Sequence, residues 1–143
     1  MTKKEKFSDP SWWQPRWDRI DNITSSWNAH SRQSEATFWD TLWHVPDELI
    51  PFLRERIHVV WKRGAEVGLL LLPSQLVNRY VIILDTKIEC QSREVRTAIL
   101  ALKFAEAYLV EHPEISESRE ELVKGWDIDL GVLDGEHAWG LEY

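Results

Sequence analysis

Residues 47–63, DELIPFLRERIHVVWKR, decide how this chain folds, because they admit two readings. Read as a helix, Leu49, Ile50, Leu53, Ile57, Val60 and Trp61 recur at helical spacing, while Arg54, Glu55, His58 and Lys62 lie elsewhere on the wheel. Pro51 then falls in the first turn, where its missing N–H does least harm. Lys62 and Arg63 suit the negative end of the helix dipole, and Gly64 fits the residue just past the end. Read as a strand, Arg56–Lys62 alternates through Ile57, Val59 and Trp61. The helical pattern is the longer one, and it predicts a single helix over about 47–63.

Working outward from this segment, residues 1–11 read as a polar, flexible arm and 12–143 as one domain. Pro15 is placed to open a helix over 15–27, with Trp13, Trp17, Ile20 and Trp27 on one face. A second helix is predicted over 34–44 from the stripe Phe38, Trp39, Leu42 and Trp43, stopped by Pro46. Towards the C-terminus, 66–72 and 79–89 read as strands, the second from the β-branched run around Val81 to Ile83. Ser92 caps a helix to about Glu111, whose two apolar stripes predict burial on more than one side. Ser118 and Glu121 have capping-box spacing and predict a helix over 117–124. Asp134-Gly135, between Trp126–Leu133 and Glu136–Trp139, is a hairpin signal. The expected fold class is therefore α+β: about five helices on a small, mainly antiparallel sheet with a C-terminal hairpin.

Charge is distributed unevenly. The chain of 143 residues carries a net −7, yet residues 106–143 hold eleven acids and two bases. The remainder is close to neutral. An acidic balance argues against phosphate-backbone binding, which needs clustered Lys and Arg, and so against nucleic acid. It favours a basic protein partner. The run from Val67 to Leu72 is far short of the roughly 20 apolar residues that span a bilayer, so no membrane association is expected. Cys90 is the only cysteine, and no apolar stretch follows the basic start. Both features fit a cytoplasmic protein without disulfides.

Two features mark candidate contact surfaces. Nine tryptophans are present, six of them between Trp12 and Trp43. Most are expected in the core, but Trp12 and Trp13 are adjacent and cannot both face inward on a helix, so one is a candidate surface anchor. The second feature is the acidic tail. Asp127 and Asp129 would share one face of a strand, since strand period is two. With Asp134 and Glu136 they surround the expected hairpin and form a candidate contact surface for a basic partner.

Catalytic signals are sparse. Asp85-Thr-Lys87, late in a strand and followed by a helix, resembles the second half of the PD-(D/E)xK nuclease signature. That resemblance implies carboxylates holding Mg²⁺ and a lysine near the attacking water. It covers only Asp85 and Lys87, and Val67–Leu84 lacks the acid that the family carries on the preceding strand. His30, His44, His58, His112 and His137 form no metal-ligand spacing, so neither metal nor cofactor is expected. Asp40 and His44, four apart on one helix, have the spacing of a supporting side-chain pair. The sequence thus points to a non-catalytic binding protein, of the inhibitor or immunity type, directed at a basic partner such as a toxin acting on nucleic acid. A small metal-dependent nuclease using Asp85 and Lys87, and an assembly subunit with a tryptophan-rich self-association face, are the alternatives.

Overall fold

The computed structural model describes residues 10–27, 31–64, 69–71 and 79–133; for residues 10–14, 26 and 69–71 the description extends to the backbone only. Among these residues, five α-helices and three strands follow in the order α1 (Pro10–Ser26), α2 (Arg32–His44), α3 (Ile50–Arg56), β1 (Ile57–Lys62), β2 (Leu69–Leu71), β3 (Tyr80–Asp85), α4 (Arg93–Glu111) and α5 (Arg119–Gly125). Short 3₁₀ turns cover Asp47–Leu49, Thr86–Cys90 and Gly131–Leu133.

The expected sheet is overturned. The strand order is β1-β3-β2, and its longest pairing, β1 with β3, is parallel, in register from Ile57 opposite Tyr80 to Lys62 opposite Asp85. Only the three-residue β2 runs antiparallel to β3, from Leu69 opposite Ile83 to Leu71 opposite Val81. The cause lies in residues 47–63, which are not one helix. The helix ends at Arg56 and a strand begins at Ile57. Ile57, Val59 and Val60 are β-branched and stiff about χ1, which favours the pleated conformation. Alternation also wins on burial: Ile57, Val59 and Trp61 are buried and His58 and Val60 half-buried. Helical spacing described the first half of the segment correctly and the second half by coincidence.

Other boundaries moved for local reasons. The strand expected over 79–89 is β3 and stops at Asp85, whose side chain accepts the Lys87 N–H at 2.9 Å and so caps a 3₁₀ turn where strand alternation was expected to continue. The expected first arm of the C-terminal hairpin is not a strand either: after α5 the chain turns at Trp126 and Asp127 and forms a 3₁₀ turn at Gly131–Leu133. The hairpin tip at Asp134-Gly135 lies outside the described residues. The helix α1 opens at Pro10, so Pro15 sits inside it. Of the expected arm, residues 1–9 lie outside the described residues.

The capping predictions match the structure. Ser92 accepts the Val95 N–H at 3.2 Å at the head of α4. Ser118 and Glu121 form the reciprocal capping box of α5. The helix α4 is buried from Thr97 to Ala105, as its two apolar stripes require. Its Phe104 meets Trp27 of the α1 end at 5.7 Å, and Trp27 packs edge-on against Phe38 of α2 at 5.2 Å. The Trp27 indole N–H donates to the Ile57 carbonyl at 3.1 Å. One aromatic side chain thereby ties α1, α2 and α4 to the start of an edge strand, and its own polar group is satisfied.

Two ionic clamps fix the periphery. Arg16 lies at the C-terminal end of α2, where unpaired carbonyls and the dipole are both negative. Its guanidinium donates to the carbonyls of Trp43, Val45 (2.8 Å) and Leu42 (3.4 Å) and to Asp47 Oδ1 (2.7 Å). It also lies over the Trp43 ring at 5.4 Å. Beside the start of β1, Glu111 accepts from Arg56 Nε at 2.6 Å, and this hydrogen bond raises the Arg56 pKa. Burial, reinforced by Glu111, pushes the neighbouring Tyr80 phenol up.

Candidate functional site

Three elements converge on a cavity of about 240 Å³. The helix α2 contributes Asp40 and His44, the first turns of α4 contribute Arg93, Glu94 and Thr97, and the segment after α5 contributes Asp127, Ile128 and Asp129. A second cavity of about 350 Å³ shares Asp127, Ile128 and Asp129 and extends over Lys124, Leu130 and Gly131. The two share these three lining residues, and we describe them as one groove, lined by the carboxylates of Asp40, Glu94, Asp127 and Asp129.

The sequence positions each of these groups for a physical reason. Arg93 opens α4, where a cation opposes the positive end of the dipole. Asp40 offsets that cost by pairing with it at 2.9 Å. Glu94, in the same turn, has the favourable sign. Beyond α5, the N–H groups of Trp126 and Asp127 close back onto the carbonyls of Val123 and Lys124 at 3.0 and 3.1 Å. That closure puts Asp127 in the left-handed region, φ 62°, where glycine or asparagine usually stands. An aspartate held there, exposed to solvent, is a local cost without a packing return. Asp129 Oδ1 accepts the Gly131 N–H at 2.8 Å, which tightens the following turn. A Cβ at Gly131 would meet that same oxygen at 3.1 Å, so glycine is what lets the carboxylate come close.

Of the residues singled out from sequence, Asp127 and Asp129 are brought to one groove. Strand alternation does not do it; the turn after α5 does. Asp134 and Glu136 lie outside the described residues, as do the side chains of Trp12 and Trp13. Asp40, Glu94, Arg93 and His44 complete the groove. The sequence does not mark them as a set, because two separate helices supply them. Only the i,i+4 relation of Asp40 and His44 is visible there, and it says nothing of Asp127.

The tryptophans divide differently from expectation. Trp27, Trp61 and Trp126 are buried, and Trp39 and Trp43 are half-buried. Trp17 is 47% exposed. Its ring meets that of Trp39 with centroids 4.4 Å apart. The spacing argument placed Trp17 on the buried face with Ile20 and Trp27, yet of these three only Ile20 and Trp27 are buried.

Asp85 and Lys87 occupy a different place. Asp85 is buried at the end of β3, with Oδ1 on the Lys87 amide and Oδ2 3.8 Å from Lys87 Nζ. Its carboxylate is thus engaged in capping its own turn. Among the described residues, no group of three or more His, Cys, Asp or Glu side chains is arranged to hold a metal ion. Among the same residues, no helix is long and apolar enough to cross a membrane.

Comparison of the chain with family models, with curated proteins and with solved structures gave no match.

Proposed function

We propose that this chain is a non-catalytic binding protein that holds a basic protein partner in the groove between α2, the head of α4 and the turn after α5. The observation that carries the proposal is the convergence of Asp127, Asp129 and Glu94 on one cavity beside the Asp40–Arg93 pair. Solvated carboxylates gathered in a concave site focus their field and raise the encounter rate with a cation-rich surface. Placing a non-glycine residue at φ 62° to do so is consistent with a functional demand on Asp127. The acidic bias of residues 106–143 extends the same field beyond the groove. Such a surface suits an inhibitor or immunity-type antagonist, which must cover a basic active surface tightly and quickly. Cytoplasmic action is part of the same proposal.

The test begins with capture of the partner from the native cell by the full-length chain, followed by association kinetics against salt. A basic partner whose on-rate falls with rising salt, and falls further with Asp127→Asn and Asp129→Asn together, is the expected result. An acidic partner, or an on-rate indifferent to both substitutions, would remove the groove from the binding site. In parallel, the purified chain with Mg²⁺ or Mn²⁺ should leave plasmid DNA and total RNA intact. Cleavage abolished by both Asp85→Ala and Lys87→Ala would replace the proposal with a nuclease.

A further inference from the structure

Lys103, in the middle of α4, is 1% exposed. An ammonium group is costly to bury unless a carboxylate is buried with it. Glu106, one turn further on, supplies that carboxylate: its Oε2 accepts from Lys103 Nζ at 2.9 Å. The same oxygen accepts from Arg119 Nη1 at 3.1 Å. Arg119 is the first residue of α5, where a cation opposes the positive end of the dipole. One carboxylate oxygen therefore holds two cations side by side, one from each helix.

We propose that Glu106 is a positioning residue for the groove: it latches α5, and with it the turn that carries Asp127 and Asp129, onto α4. Its importance for binding rests on the reading of that groove as the partner site. The helix α5 has seven residues, too few to be stable without contacts to the rest of the fold. Its capping box, Ser118 with Glu121, is internal to α5 and ties it to nothing else. The attachments run along α4: the Arg119–Glu106–Lys103 latch at the start, and buried Val123 and Trp126 at the end. The carbonyls of Val123 and Lys124 accept from the N–H groups of Trp126 and Asp127. The turn thus keeps its shape only while α5 stays helical, and a two-turn helix orders or melts as a unit. Neutralising Glu106 sets Lys103 and Arg119 against each other at short range. Lys103 is enclosed in the core, so Arg119, at the head of the short helix, is the one that yields.

The test is amide hydrogen exchange of the full chain, followed by mass spectrometry. Glu106→Gln should speed exchange over residues 119–129 by about tenfold or more, as loss of one member of a buried ionic cluster does, while β1 and β3 keep their protection. Adding Lys103→Met to Glu106→Gln should restore much of that protection, because it removes the repulsion that opens α5. A helix held by packing alone would show no such rescue. Exchange over 119–129 that is unchanged, that rises equally in β1 and β3, or that Lys103→Met fails to slow overturns the proposal. If Glu106→Gln does not fold, Arg119→Gln decides: it keeps the Lys103–Glu106 pair and removes only the link to α5. Faster exchange confined to 119–129 then supports the latch, and unchanged exchange overturns it. Exchange is read without a partner, so the latch can hold even where the groove proves not to be the partner site.

Discussion

The α1–α2 end of the molecule and the groove at the head of α4 use charge in opposite ways. At the first, Arg16 is taken up by structure: four acceptors at or just beyond the end of α2 surround one guanidinium that is only 23% exposed. At the second, Asp127 and Asp129 are exposed and hold no cation among the described residues, and their role in the fold is to shape the turn that carries them. Charges bound into helix ends contribute to stability, while solvated charges act on whatever approaches. The difference between the two regions therefore predicts which substitutions unfold the protein and which only change what it binds.

The largest expected effect is at Arg16. Arg16→Ala should cost about 2 kcal/mol, the range for hydrogen bonds from a charged donor to partly buried acceptors. Arg16→Lys should recover less than half, since a point charge cannot serve carbonyls spread along the last turn. Denaturant unfolding monitored by tryptophan fluorescence would measure both. A loss below about 0.5 kcal/mol, the usual span for a surface substitution, would place Arg16 with the solvated charges and erase the contrast.

Asp127 sharpens the comparison from the other side. Asp127→Gly should stabilise the fold by about 0.5–1 kcal/mol, since glycine meets no steric penalty at φ 62°, although its greater freedom in the unfolded chain offsets part of the gain. The same substitution should slow partner association. A stabilised, weaker-binding variant is the signature of a residue kept for function at the expense of local structure. A destabilised one would show that the Asp127 carboxylate has a structural partner.

These contrasts are only partly legible in the sequence. Helix caps are local, so Ser92, Ser118 and Glu121 can be read directly. The burial of α4 follows from its two stripes. The end of α3 cannot be read, because Ile57 and Trp61 satisfy both periods, and the deciding term is the pairing of β1 with a strand beginning at Tyr80. The register of a parallel pair leaves no turn signal to find. The groove is visible only as acidic composition, since Asp40 and Glu94 lie far in sequence from Asp127. Arg16 carries no such signal, because nothing near it in sequence announces that it will reach the end of another helix.

Acid provides a smaller and more selective probe. Histidine is the side chain whose ordinary pKa puts its charge change between about pH 7 and 5. His58 is the candidate. Burial, and then Arg79, lower its pKa from the ordinary value of 6.5. The folded state thus prefers the neutral ring. The stabilisation from this preference is fully present above pH 6.5, where the unfolded chain also holds a neutral histidine. It diminishes as the unfolded histidine takes up its proton, and is lost as pH falls through the depressed folded value. His58→Gln should flatten that decline, whereas Asp127→Asn should leave it unchanged. If the slope survives His58→Gln and disappears in the groove variants, the carboxylates are not the solvated set described above.

The smallest expected change in stability is at Asp129, and for that reason it isolates function best. Asp129→Asn keeps an oxygen to accept the Gly131 N–H, so the turn retains its hydrogen bond and stability should stay within about 0.5 kcal/mol. Only the charge is lost. If the groove acts by steering, that loss should lower the association rate at low salt and leave dissociation nearly untouched. The deficit should shrink as salt rises, because the Debye length contracts from about 30 Å at 0.01 M to about 8 Å at physiological strength. Asp129→Ala supplies the control. It removes the acceptor as well, so any further effect relative to Asp129→Asn measures the turn rather than the field. Equal on-rates for the unsubstituted chain and Asp129→Asn at low salt, with slower binding only in Asp129→Ala, would make this residue a builder of the groove and leave the field to Asp127 and Glu94.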